Sequence, residues 1–249
     1  MPLIFHEFPR KRWGFSRPHL REPASRIFLN RTVKIQETSH VITKNLVLAE
    51  GVFGPFPKDG TIEFPIFTDK EHKAEADRLF ENCGGDIALL NPAGGWVTKL
   101  WHAEKYGLLA DRIWEDLGLR PVIVTGPAET EIAKRVLAAS RSGKVIAAEP
   151  TLKGFYELAK RARIYIGGDT GPTHIAVAAG TPIVGIFGPT EWWRNGSPNK
   201  ADICVERLDI ECRIDCHRRT CSNWICMDIT PETVLRAVAE RLRPTSTVA

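Results

Sequence analysis

From Ile87 to Phe187 the chain alternates short apolar runs with helix-like stretches, and this alternation constrains the fold more than any other feature. The apolar runs are rich in Val and Ile and lack strict alternation with polar residues, which is typical of strands buried on both faces. Repeated strand–helix units predict an α/β fold with a Rossmann-like, doubly wound parallel sheet. The predicted strands are 87–91, 121–125, 144–148, 163–167 and 181–187.

Helices are predicted between these strands and at both ends of a main domain placed at residues 66–249. The predicted helices are 101–118, 129–140, 153–162 and 172–180, with 70–84 before the first strand and 231–242 near the C-terminus. Thr230 is suited to cap the last helix, and Pro231 suits its first turn. Residues 1–65 contain one plausible helix, at 40–51, and a Pro- and Gly-rich connector. They either drape over the main domain or form the tail of another domain.

Composition narrows the class of protein. The chain is 43% apolar and 26% charged, which is ordinary for a globular protein. Its net charge of +4 is modest and concentrated in residues 9–21, which favours a solvated face over a surface for nucleic acid or anionic lipid. No apolar stretch has the length of a membrane span, and the N-terminus lacks the order of a secretion signal. We therefore expect a cytoplasmic protein whose six cysteines are reduced thiols or metal ligands.

The stretch GGDTGPTH joins a predicted strand to a predicted helix. Asp169 and Thr170 are suited to the N-cap, Pro172 to the first turn, and Gly171 leaves the backbone amides open. Exposed amides at a helix start, at the carboxyl end of a parallel strand, predict a phosphate site. The competing interpretation is that Asp169 only caps the helix and that His174 packs against the sheet.

Two further strand ends carry polar side chains of the same kind. Lys99 follows Gly94 and Gly95 after the first predicted strand, and a lysine there is a point charge suited to a diphosphate. Glu129 follows the next strand, where a carboxylate either stabilises a helix start or holds ribose hydroxyls. Three strand ends of one sheet thus carry a lysine, a glutamate and an aspartate. This combination favours one nucleotide site over the alternative that each residue has a separate role on the surface.

These residues resemble the nucleotide-binding half of the heptosyltransferase-like glycosyltransferases, carbohydrate-active family nine. The matching stretches are NPAGGWVTKLWHAEKY, VTGPAETEIAKRV and GGDTGPTHIAVAAGTPIVGIFGPT, within about residues 85–235. The resemblance implies a GT-B fold, in which two Rossmann-like domains face each other across a cleft. It also implies transfer of heptose from ADP-L-glycero-D-manno-heptose to the inner core of lipopolysaccharide.

The resemblance assigns roles to particular residues of the donor site. It implies that Thr98 and Lys99 hold the donor phosphates and that Glu129 holds the ribose. Around the diphosphate and sugar it places Asp169, Thr170, Gly171 and Pro172, with His174 behind them. No cofactor is expected to be required, although Asp169 either accepts a hydrogen bond or contacts a divalent cation. The expected partners are a nucleotide-sugar donor and a lipopolysaccharide acceptor, with contact at the inner-membrane surface left open and nucleic acid not expected.

The sequence departs from the family near its N-terminus. Members carry a Gly-rich acceptor loop and an Asp general base in their first domain, and neither is found here. Residues 28–54 resemble the end of that domain, so 1–65 are interpreted as its remnant plus a linker, with roughly one hundred residues missing. The catalytic residue is then unknown, and the general base is expected in the missing region. A non-catalytic nucleotide-sugar-binding module, or an enzyme using another nucleotide sugar, stays open.

A cysteine-rich loop, residues 211–227, lies outside these motifs. Its four thiols, Cys212, Cys216, Cys221 and Cys226, could form a tetrahedral zinc site, a ligand set for an iron–sulfur cluster, or a loop of free or oxidised thiols. Their spacing matches neither the paired C-x2-C pattern nor the ferredoxin pattern. Cys83 and Cys204 are interpreted as buried thiols. The Trp pair at 192–193 is expected to cover a neighbouring helix in preference to shaping the donor site.

Overall fold

The computed structural model describes residues 10–20, 22–56, 62–213, 216 and 218–243. The chain divides into two compact units, Met1–Ile62 and Glu63–Ala249. In the first unit, strands β1 (Trp13–Phe15) and β2 (Arg31–Val33) pair in parallel, and helix α1 (Val41–Phe53) packs against both. Short 3-10 turns at Arg17–His19 and Pro23–Phe28 lie between the two strands.

The second unit is built on a parallel sheet of six strands, in the order β5-β4-β3-β6-β7-β8. This order is that of the doubly wound nucleotide-binding fold, and it reverses between β3 and β6. The prediction of a Rossmann-like, doubly wound parallel sheet is therefore confirmed. The strands are β3 (Ile87–Asn91), β4 (Arg120–Val124), β5 (Ile146–Ala148), β6 (Ile164–Gly167), β7 (Ile183–Phe187) and β8 (Ile203–Glu206).

Helices connect the strands and cover both faces of the sheet. They are α2 (Lys70–Cys83), α3 (Ala103–Leu117), α4 (Thr130–Ala139), α5 (Leu152–Ala159), α6 (Gly171–Ala178), the short α7 (Trp192–Asn195) and α8 (Pro231–Arg241). Further 3-10 turns lie at Val97–Lys99, Glu211–Arg213 and Ile225–Met227. Every helix predicted from the sequence is present. The Thr230 hydroxyl accepts a hydrogen bond from the Thr233 amide, as expected of an N-cap residue.

Strand β3 shows why the apolar runs lack alternation. Ala88 and Leu90 pack into one core with α3, α4 and α8, whereas Ile87 and Leu89 pack into a second core with α2, α5 and α6. All four side chains are fully buried. A strand with helices on both faces has apolar side chains on both sides, so its sequence lacks alternation.

The two edges of the sheet differ from the prediction. Strand β8 was not predicted, and β5 begins at Ile146, two residues later than expected. The interior strand β7 also begins two residues later than expected, at Ile183. An edge strand pairs on one side only and needs less apolar surface. The sequence of β8, ICVE, is accordingly mixed and mostly half-buried, so its composition does not distinguish it from a loop.

Gly107→Ala tests the contact between α3 and α4. A Cβ at this position would lie 2.6 Å from the Val136 carbonyl oxygen and 2.7 Å from the Ala139 Cβ. Overpacking costs about 1–3 kcal/mol and should exceed the gain of about 1 kcal/mol that alanine brings to a helix. We expect a lower free energy of unfolding in urea. Gly85→Ala, where a Cβ meets no atom within 4 Å, is the control. Equal stability of the two variants would contradict this packing.

Candidate functional site

The loops that leave β3 and β6 pack directly against each other at the point where the strand order reverses. A Cβ on Gly94 would lie 2.8 Å from the Thr170 methyl carbon, and one on Gly168 would lie 3.2 Å from the Lys99 carbonyl oxygen. Glycine at both positions therefore permits the approach of the two loops. The crevice beside them is where a doubly wound sheet binds its ligand.

An ion pair joins these loops. The Lys99 ammonium lies 2.6 Å from Asp169 Oδ2 and 4.4 Å from the centre of the Trp96 ring. The Asn195 side-chain amide, from α7, donates to the same carboxylate oxygen at 3.4 Å, and His174 Nε2 lies 3.7 Å from Oδ1. The side chains of Lys99 and Asp169 are 15% and 7% exposed, so the pair is largely withdrawn from water.

The surroundings of Asp169 keep it ionised. Burial alone would raise its pKa, but the contacts from His174 and Lys99 hold the pKa well below its usual value. The carboxylate does not cap α6: Thr170 is the N-cap residue, and no side chain makes the capping hydrogen bond. The interpretation of Asp169 as a simple cap is therefore wrong. The His174 side chain is 51% exposed, so it does not pack against the sheet either.

A polar cavity of about 380 Å³ lies over this ion pair. Gly171, at the start of α6, is exposed, and a Cβ there would meet no protein atom within 4 Å. The backbone amides at this helix start are therefore accessible to an anion. The cavity is lined by Asn91, Ala93, Gly94, Gly95, Trp96, Lys99, Glu129, Asp169, Thr170, Gly171 and Pro172.

An apolar cavity of about 360 Å³ adjoins the polar one. Asn91, Glu129 and Pro172 line both cavities. Val124, Leu152 and Phe155 give the second cavity its apolar surface. The two cavities together form a site with a charged part, an apolar part and a carboxylate where they meet.

Glu129 supplies that carboxylate. Its Oε2 accepts a hydrogen bond from the Gly126 amide at 2.7 Å, and its side chain does not cap α4, although Glu129 is the N-cap residue. Asn91 is the last residue of β3, and its side-chain amide donates to the Val124 carbonyl at 2.8 Å. These hydrogen bonds fix both polar side chains at the boundary between the cavities.

Most of the predicted donor residues lie around the polar cavity, but Thr98 does not. Its side chain is buried, and its hydroxyl donates to the Arg218 carbonyl at 2.6 Å. His174 contacts Asp169 without lining the cavity. The phosphate contact assigned to Thr98 stays a prediction. The position of the hydroxyl does not favour it, because the hydroxyl is bonded to the Arg218 carbonyl outside the polar cavity.

Three residues of the site were not identified from the sequence. Asn91 and Trp96 stand within the strand and loop already singled out, so the rule for strand ends could have found them. Asn195 had no comparable signal, because it reaches the site from α7. That helix packs Trp192 against Phe187 of β7, with ring centres 5.0 Å apart. Trp192 therefore packs against a strand, whereas the sequence analysis expected the Trp pair to pack against a neighbouring helix.

The four cysteines of the 211–227 loop line one small cavity of about 110 Å³, together with Thr98 and Trp224. Burial and the three neighbouring thiols raise the pKa of Cys226. No three His, Cys, Asp or Glu side chains in the described residues are arranged to hold a metal ion as they stand. Cys83 is buried as predicted, whereas Cys204 is only half-buried, since it lies on the edge strand β8.

Within the residues that the structure describes, no helix has the length and apolar character required to cross a membrane.

Comparison with known proteins identifies similar chains. The model of the family "Glycosyltransferase family 9 (heptosyltransferase)" matches residues 8–226. Lipopolysaccharide heptosyltransferase 1 from Pseudomonas aeruginosa is 27% identical over 210 residues, which cover 84% of this chain and 56% of the relative. Lipopolysaccharide heptosyltransferase 3 from Escherichia coli is 24% identical over 197 residues, covering 76% and 56%.

Solved structures share the fold. The crystal structure of a glycosyl transferase of family 9 from Veillonella parvula has a TM-score of 0.72 and 23% identity, covering 88% of this chain and 64% of that one. The structure of E. coli heptosyltransferase WaaC with ADP has a TM-score of 0.65 and 22% identity, covering 92% and 65%. The chain therefore spans just over half the length of the two curated relatives and about two thirds of the solved chains.

Lys99→Met tests the ion pair. We expect it to lower the free energy of unfolding at pH 7 by about 3 kcal/mol, because the ionised Asp169 is left buried without its cation. The double variant Lys99→Met/Asp169→Asn should recover most of this loss, because neither residue is then charged. Lys134→Met is the control, since both side chains of the Lys134–Glu131 pair are exposed and such a pair is worth at most about 1 kcal/mol.

The stability difference between wild type and Lys99→Met, measured by urea unfolding, should depend on pH. The folded state lowers the pKa of Asp169, so the stability that the pair contributes is complete above about pH 4. It is lost as the pH falls further and the carboxylate is protonated. The difference between wild type and Lys99→Met should therefore shrink in acid. A single variant as stable as wild type at pH 7 would show that the ion pair contributes no stability.

Proposed function

Since the chain belongs to glycosyltransferase family 9, we propose that its second unit binds ADP-L-glycero-D-manno-heptose for transfer of heptose to the lipopolysaccharide inner core. The observation that carries this proposal is the pair of adjoining cavities that share Glu129. A nucleotide sugar has the same sequence of parts: a flat base, a ribose and a charged diphosphate.

In the proposed arrangement, each part of the donor meets a matching surface. The diphosphate lies in the polar cavity, between the Lys99 ammonium and the amides at the start of α6. The ribose lies at the boundary, where Glu129 accepts hydrogen bonds from its hydroxyls. The base lies in the apolar cavity against Leu152 and Phe155, since apolar and aromatic side chains suit the faces of a base.

The same groups suit the chemistry of sugar transfer. Breaking the bond between the sugar and the β-phosphate leaves additional negative charge on the departing nucleotide. Lys99 and the α6 amides offer positive charge where this charge develops, and Asp169 holds the ammonium in place before the reaction begins. Asp169 also has the chemistry to accept hydrogen bonds from the sugar hydroxyls, because its carboxylate stays ionised.

The comparisons support the donor and acceptor classes. The curated relatives are named as lipopolysaccharide heptosyltransferases, and one E. coli structure of similar fold is described with ADP-2-deoxy-2-fluoro heptose. Those names concern the relatives.

Calorimetric titration with ADP tests the donor site. We expect micromolar binding by the full chain, and Lys99→Met should weaken it by about 1–3 kcal/mol, because a charge-assisted contact with phosphate is lost. Lys160→Met, which removes a lysine outside both cavities, should bind like wild type. Weaker binding of UDP and GDP than of ADP would support the adenine assignment.

Two results of these assays would contradict the proposal. The donor site is wrong if the full chain does not bind ADP, or if Lys99→Met binds it like wild type. Incubation with labelled ADP-heptose and heptose-deficient lipopolysaccharide separates binding from transfer. Labelled lipopolysaccharide supports a transferase, whereas binding without transfer favours a nucleotide-sugar-binding module.

Gly171→Ala tests the approach of phosphate to α6. The added methyl group meets no protein atom, so the melting temperature should not fall. The methyl group would nevertheless stand beside the amides that the diphosphate must reach, and we expect ADP affinity to drop by about tenfold or more. Gly85→Ala, which also adds a methyl group in open space, is the control. Unchanged ADP affinity in Gly171→Ala would place the phosphates elsewhere.

A further inference from the structure

The cysteine loop contains a cluster of ligand atoms that the proposed sugar transfer does not use. Cys212, Cys216, Cys221 and Cys226 come from different parts of the loop, and all four line the 110 Å³ cavity. Two of them, Cys212 and Cys221, are exposed. A soft, sulfur-rich ligand set of this kind suits zinc and does not suit magnesium or calcium.

We propose that these four cysteines bind one zinc ion and that the ion holds in place the loop carrying Lys99. Four thiolates complete a tetrahedral site and leave no open position, which is the pattern of a structural zinc site. Each cysteine that is protonated beforehand releases its proton when its sulfur binds zinc, and neither sulfur nor zinc changes oxidation state. The sulfur atoms are not arranged for an ion in the described structure, so the proposed site requires the loop to rearrange when zinc binds.

Little regular secondary structure supports the described part of the segment between β8 and α8. In its described residues the only regular elements are the 3-10 turns Glu211–Arg213 and Ile225–Met227. Long connections without secondary structure are uncommon in compact domains unless they have a function. Met227 and Ile229 are buried in the core and anchor one end of the segment, whereas Cys212 and Cys221 lie on its exposed part. A metal ion linking all four thiols would tie that exposed part to the anchored end.

The cysteine loop is bonded directly to the residue before Lys99. The Thr98 hydroxyl donates to the Arg218 carbonyl at 2.6 Å, and the Trp224 indole nitrogen donates to the Thr98 carbonyl at 2.9 Å. The hydroxyl and the backbone carbonyl of Thr98 are thus both hydrogen-bonded to this loop. Ordering the loop therefore orders the backbone from which the Lys99 side chain extends.

A second contact links the cysteine loop to the loop that carries Lys99. The guanidinium of Arg219 lies 4.9 Å from the centre of the Trp96 ring, and the Lys99 ammonium lies 4.4 Å from the same ring. Both cations attract the ring's electron density and favour one position for the indole. Trp96 lines the polar cavity, so the cysteine loop also stabilises part of the cavity wall.

Metal analysis of the full chain, purified under reducing conditions without added metal, tests the site. We expect one zinc per chain, and Cys212→Ser and Cys221→Ser should each lose most of it. These two cysteines are exposed, so their replacement should not disturb the core. Cys204→Ser, which alters a thiol outside the loop, should keep its zinc. A cobalt-substituted chain should show the absorption of tetrahedral thiolate coordination.

Other results of the same measurements would overturn the zinc site. These are a chain without metal, a chain that contains iron, disulfide bonds among the four cysteines in the reduced preparation, or zinc that the two loop variants retain. Circular dichroism of the serine variants shows whether they are folded, so loss of zinc through unfolding is distinguished from loss of a ligand.

The effect on Lys99 rests on the proposed function and has its own test. Removal of zinc with a chelator should weaken ADP binding by about tenfold, because the donor loop must then be ordered when the ligand binds. Adding zinc back should restore the affinity. Unchanged ADP affinity in the zinc-free chain would overturn the coupling. A zinc-loaded chain that does not bind ADP at all would overturn the proposed function and leave the zinc site standing.

Discussion

The ion pair between Lys99 and Asp169 joins the loops of β3 and β6, and the arrangement of the site depends on it. These strands are neighbours where the strand order reverses, and their loops pack against each other beside the crevice. An ammonium and a carboxylate 2.6 Å apart, both largely withdrawn from water, hold the loops in one relative position. The price of burying two charges is offset by their contact and by the further contacts from Asn195 and His174.

The position of Lys99 is restrained by contacts from two other parts of the chain. Lys99 has to be held near the start of α6, because a mobile lysine on the surface would lose entropy each time a phosphate bound. Asp169 supplies that restraint, and its depressed pKa keeps the restraint in force at neutral pH. The cysteine loop also restrains this segment, through hydrogen bonds to the hydroxyl and the carbonyl of Thr98. Lys99 is thus positioned by two independent parts of the chain.

Five strands of the sheet and most of the polar cavity could be predicted, whereas the edge strand β8 and the remote contacts could not. Buried strands such as β3 carry an unambiguous apolar run because helices cover both of their faces. Strand β8 pairs on one side only, so it carries no such signal. Asn195 lies 26 residues from Asp169, and Thr98 lies 120 residues from Arg218. No local pattern of residues encodes contacts over those separations.

Local sequence patterns were enough to identify the repeated strand–helix units, the helix starts and the polar residues at the strand ends. These features depend on hydrogen bonds and apolar contacts between residues close together in the chain. Local patterns did not reveal that the Asp169 carboxylate pairs with Lys99 and does not cap α6. Nor did they reveal that the Thr98 hydroxyl contacts the cysteine loop or that Glu129 lines both cavities. A buried polar side chain bonds to a partner within reach, and the folding of distant segments determines which partners are within reach.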